Sequence, residues 1–136
     1  MLIVALFFSF MYIHYSRYNK QYMLSEMQII AYNILDFLCS YSGNQTKQIG
    51  LAYNYLNLSQ QKLNTFLALT PEQVAEKFNI KRFDFYFEIA NNNTIVYSKG
   101  TKKTLDELQN KQAIALTRTV MLNNSYFLMT IILYEK

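Results

Sequence analysis

Tryptophan is absent from this sequence of 136 residues, which holds one cysteine, one histidine, one proline and three glycines. A single cysteine, Cys39, excludes an intramolecular disulfide. A single histidine, His14, cannot anchor the several-ligand sets that metal sites use. Three glycines are too few for a Gly-rich phosphate loop. Charged residues make up only 16%, below the usual share of about 25%. The net charge of +4 is spread thinly over Arg17, Lys20, Lys77, Lys81, Arg82, Lys99, Lys102 and Lys103. No basic stripe interleaved with aromatics would track a phosphate backbone, so no nucleic-acid partner is expected.

What the chain has in excess is hydrophobic residues, 51% of the total, and they crowd the N-terminus. Residues 1–13 carry no charge, and Ser9 is their only small polar group. A run of about 13 residues is short of the about 20 that span a bilayer. Tyr12, Tyr15 and Tyr18 suit a membrane–water boundary and extend the run to about 18 residues. A cleaved secretory signal would need a basic start and a small-residue cleavage site, and neither is visible. A buried core helix would not be apolar on every face of a small protein. The expectation is a retained membrane-anchor or filament-core helix over residues 1–18, presenting Leu2, Ile3, Val4, Leu6, Phe7, Phe8, Phe10, Met11 and Ile13. Taken alone, Arg17 and Lys20 would draw the following domain to the cytoplasmic side. A short basic leader upstream of Met1, lost on processing, would reverse that and place the head outside the cell.

No glycine or proline interrupts the chain before Gly43. Met23, Leu24, Met27, Ile30, Ala31, Ile34, Leu35, Leu38 and Tyr41 recur at three-to-four spacing, the mark of an amphipathic helix. Residues 19–42 therefore read as a continuation of the same helix, stopped by Ser42-Gly43-Asn44. At about 1.5 Å per residue the whole is roughly 60 Å long. Cys39 falls among the apolar positions and is expected to be a buried, inert thiol.

Residues 43–136 read as a small α+β head. A connector over residues 44–57 carries a short turn or helix around residues 49–55. Ser59 caps a helix to about Leu69, and Thr70-Pro71-Glu72-Gln73 starts a second to about Phe78. The period then changes to two. Phe83, Phe85, Phe87 and Ile89 alternate with Asp84, Tyr86 and Glu88, as in a half-buried strand. Asn91-Asn92-Asn93 turns the chain into a strand over residues 94–98. A polar stretch with one helical turn around residues 105–108 leads to a second hairpin, residues 113–122 and 126–134, about Asn123-Asn124-Ser125. Four antiparallel strands in a meander, covered by the long helix, are expected.

Chemistry-bearing patterns are sparse, and no enzyme, cofactor or metal is expected. Asp106 and Glu107 read as a solvated turn. Asp84 and Glu88 read as exposed or paired with lysine or arginine, and Arg118 as the partner of a carboxylate. The pattern Asn-x-Ser/Thr occurs at Asn44, Asn57, Asn92 and Asn123, which are candidate glycosylation acceptors.

The uncharged apolar start, its amphipathic continuation and the β-rich end resemble archaeal type IV pilin-like surface proteins, relatives of adhesion pilins and archaellins. Ile49-Gly50-Leu51-Ala52, residues 58–69, Phe83-Asp84-Phe85-Tyr86-Phe87, and Leu116-Thr117-Arg118 leading into residues 120–122 carry the likeness. No glutamate stands near position 5, where bacterial pilins usually carry one and archaeal relatives often lack it. The resemblance implies a structural subunit or minor pilin. Its N-terminal helix would meet membrane lipid or other pilin-like subunits. A monomeric single-pass protein whose head binds a partner or ligand is the alternative.

Overall fold

A computed structural model describes residues 2–39, 51–54 and 56–136. The first element, α1, is an unbroken helix over Leu2–Cys39. The predicted stop at Ser42-Gly43-Asn44 lies outside the described residues. Helices α2 (Gln60–Ala68), α3 (Pro71–Lys77) and α4 (Leu105–Leu108) are short. Strands are β1 (Ala52–Asn54), β2 (Asn57–Leu58), β3 (Phe83–Asn91), β4 (Thr94–Gly100), β5 (Ala113–Leu122) and β6 (Ser125–Glu135).

The class is α+β with a long N-terminal helix, as expected, but the sheet is not a four-stranded antiparallel meander. Six strands lie in the order β1-β2-β5-β6-β3-β4. β6 sits between the two hairpins and pairs with both β3 and β5. The short β2 joins β5 in parallel. Part of the connector expected to be a turn or helix is instead the β1–β2 pair. Strand periodicity tells which residues share a face; it does not name a strand's neighbour, so two hairpins could be joined at either edge.

Local signals explain the element ends. The Ser59 hydroxyl accepts from the Lys62 N–H, and Thr70 with Gln73 forms a reciprocal capping box around Pro71. α3 ends in a Schellman motif. Asn79 takes a positive φ of 55°, while the Asn79 and Ile80 N–H groups return to the Glu76 and Ala75 carbonyls. Asparagine tolerates that conformation, and buried Ile80 supplies the usual apolar contact. Both hairpin turns, Asn92-Asn93 and Asn123-Asn124, hold two asparagines at positive φ, the geometry that matches strand twist. A Cβ on Gly100, at φ +88°, would lie 2.3 Å from the Phe85 carbonyl oxygen.

The core lies between one sheet face and the helices. Met27, Ala31, Ile34, Leu35, Leu38 and Cys39 of α1 are buried with Phe85, Phe87, Ile89, Val120, Leu122, Met129, Ile131 and Leu133. Phe66 of α2 meets Phe87 edge-on at 5.1 Å between centroids. On that same face Arg118 reaches Asp36 of α1 at 3.2 Å and lies against the Tyr32 ring. The carboxylate partner expected for Arg118 is thus on the helix. Burial pushes the Cys39 thiol pKa up, with Arg118 opposing.

Candidate functional site: the unpacked half of the long helix

α1 behaves as two different helices. From Met27 onward one stripe is buried in the core; among the described residues none before Met27 is. The handover occurs near Met23, which packs partly against the core, and at Glu26, which forms an ion pair with Arg82 just ahead of β3. Tyr22, Ile29, Ile30 and Phe78 line a shallow groove around that pair, where the helix leaves the head.

Beyond it all nine residues singled out from the sequence are uncovered. Leu2, Ile3, Val4, Leu6, Phe7, Phe8, Phe10, Met11 and Ile13 range from 50% exposed at Ile13 to 81% at Ile3. Their contacts run along the helix itself. Phe7 meets Phe8 edge-on at 6.1 Å, and Phe10 meets His14 at 4.3 Å. Full burial of such a side chain is worth about 1.5–3 kcal/mol. Even at half that, nine of them rival the about 5–15 kcal/mol that holds a typical domain folded. The expected membrane span is not reached, however. Among the described residues no helix is long and apolar enough to cross a membrane. The apolar part ends at Ile13, about 18 Å along the axis, against a hydrocarbon core of about 30 Å; His14, Arg17, Asn19 and Lys20 follow.

The remaining candidates are dispersed. Asn92 is exposed at the tip of the β3–β4 hairpin, with Thr94 exposed beside it. Asn123 is exposed, but its amide donates to Gln60 at 3.1 Å. Asn57 is half-buried in β2, and the hydroxyl of its Ser59 caps α2. Asn44 lies outside the described residues. Asp106 and Glu107 open α4, where Thr104 and Glu107 form a second capping box. Its Thr-x-x-Glu signature was legible in the sequence. Accepting the Thr104 N–H holds the Glu107 carboxyl pKa below its ordinary value.

On the sheet face away from α1, Asp84 pairs with Lys103 and Glu88 with Lys102. The two lysines stand over the Tyr134 and Tyr86 rings. This polar staple buries Tyr86, which alternation alone had placed in solvent. Burial and the Glu88 carboxylate raise the Tyr86 hydroxyl pKa. Among the described residues no group of three or more His, Cys, Asp and Glu could hold a metal ion.

Compared with protein-family models, with curated proteins and with solved structures, the chain matches none.

Proposed function

We propose that this chain is a pilin-like structural subunit of a cell surface, whose unpacked helix half is buried among the same helices of neighbouring copies. One observation carries the reading: a continuous helix leaves the head and displays nine large apolar side chains, none packed against the head. A bundle of such helices satisfies a rod that is apolar on all sides, because each face meets another rod. A lipid layer offers the same chemistry, but the apolar length is short for it. In a bundle the heads stand outside, and the sequence resemblance supports an extracellular position for them.

Negative-stain microscopy and sedimentation of the full chain, on dilution out of mild detergent, test this. Ordered oligomers or filaments are expected, and deletion of residues 2–18 should leave a monodisperse soluble head. A full chain that stays monomeric without detergent overturns the reading. A chain that self-associates only when vesicles are present assigns the rod to lipid instead.

A further inference from the structure

We propose that Tyr15, Tyr18 and Tyr22 form the face through which two copies of this chain pair side by side, their helices parallel and in register. This rests on the reading of the rod as part of a bundle, and it names the contact made where the rod approaches the head.

Residues 14–22 form a neck between the all-round apolar tip and the seat on the sheet. At about 100° per residue, Tyr15, Tyr18 and Tyr22 fall on one side of it, roughly opposite the buried stripe of Met27, Ala31, Ile34 and Leu38. The three are 66–67% exposed. Val4, Phe8 and Met11 carry the same line into the tip and are also exposed. Steps of four and three residues alternate along these six positions, the spacing of a two-helix seam. The line is about 27 Å long. Residues 40–50 do not extend to it. The Leu51 N–H donates to the Leu38 carbonyl at 3.0 Å, so both ends of that connector start beside the end of α1. A loop of its length stretches about 20 Å from there, and Tyr22 lies about 25 Å from Cys39.

The charges select a second copy as the occupant. Arg17 and Lys20 are the charged residues of the neck, and both are exposed. They lie roughly 130° and 170° around the helix from the tyrosine line. Parallel copies bring their cations to the same height, so two necks repel unless those cations point apart. The side farthest from both is the tyrosine line. Paired there, with axes about 9 Å apart, the copies turn their cations outward, and the separation exceeds the Debye length of about 8 Å. An acidic partner would instead be drawn to the side of Arg17 and Lys20 and would leave the tyrosines uncovered. A lipid boundary selects a depth and not a side, whereas these tyrosines are stacked along about 10 Å of one side.

The area agrees with a pair. The uncovered surface of the six side chains is on the order of 600 Å² per copy. Phe7 flanks the line and brings the contact toward the about 800 Å² per partner of a stable complex. The tyrosines by themselves supply about half of that, so tip and neck are both needed. Tyrosine suits the wetted neck because its ring packs while its hydroxyl keeps a polar partner.

Cysteine substitution in the full chain, assembled without detergent, tests the face and the register; Cys39 is buried and stays silent. Tyr18→Cys meets its own counterpart and should form a disulfide dimer on mild oxidation. Lys20→Cys, on the far side, stands about 13 Å from its counterpart, beyond the about 7 Å between Cα atoms that a disulfide spans, and should not. Tyr18→Lys sets two cations face to face and should weaken assembly in sedimentation about tenfold or more. Gln21→Lys adds the same charge a quarter turn away and should change it less than about twofold. Assembly without a disulfide at Tyr18→Cys, with an equal disulfide at Lys20→Cys, or with equal losses in the two lysine variants overturns this pairing and leaves the bundle reading standing. A full chain that stays monomeric, or associates only on vesicles, overturns both.

Discussion

The two halves of α1 share one backbone and differ only in how apolar residues are arranged around it. In the second half they keep to the stripe of Met27, Ala31, Ile34, Leu35 and Leu38, and the head covers them. In the first half they occupy every side, and no single surface could cover them. A stripe is an instruction for packing within the chain; an apolar cylinder asks for several partners at once. Continuity of the helix therefore does not imply a single role.

That contrast can be broken by substitution. The largest effect is expected for Phe7→Asp. A charge in the apolar half should abolish the helix-driven assembly seen by sedimentation while leaving the head's stability within about 0.5 kcal/mol of its original value. Leu38→Ala should do the reverse, costing about 2–5 kcal/mol in denaturant unfolding with association retained. If Phe7→Asp destabilises the head as much as Leu38→Ala does, the two halves are not separate in function.

Asp36→Ala sharpens the comparison at the helix's grip on β5. Arg118 would lose a carboxylate partner in a half-buried position, at a cost of about 1–2 kcal/mol. The smallest effect is local. The pKa of Glu107 is lowered in the folded state, so its contribution is present above the ordinary glutamate value of 4.5 and is lost as pH falls through the lower folded value. Amide exchange in α4 should accelerate over that acid range, and Glu107→Gln should flatten the dependence.

Much of this architecture is legible in the residues. Helical spacing and the absence of glycine or proline predict α1. Period two predicts β3 to β6, and Ser59 and Thr70-Pro71 predict the starts of α2 and α3. β1 and β2 are too short to display a period. The insertion of β6 beside β3 is decided by long-range packing, which no local pattern encodes. Tyr86 defeats the alternation rule because Lys102, distant in sequence, folds over its ring. The Asn79 cap was readable as a C-terminal signal after Phe78, but lies hidden in an asparagine-rich chain. At the candidate site the apolar run itself is plain. The point where it leaves the head depends on Arg82 meeting Glu26, a partner 56 residues away.

The uninterrupted backbone of α1 also has a mechanical consequence. With no glycine or proline over Leu2–Cys39, no hinge separates the protruding tip from its seat. About 37 Å of stiff rod stands ahead of Met27, against about 20 Å held by the sheet. A sideways tug at Leu2 is thus levered into the seat with nearly twofold gain, and Arg118, Asp36, Glu26 and Arg82 are where that torque must be resisted.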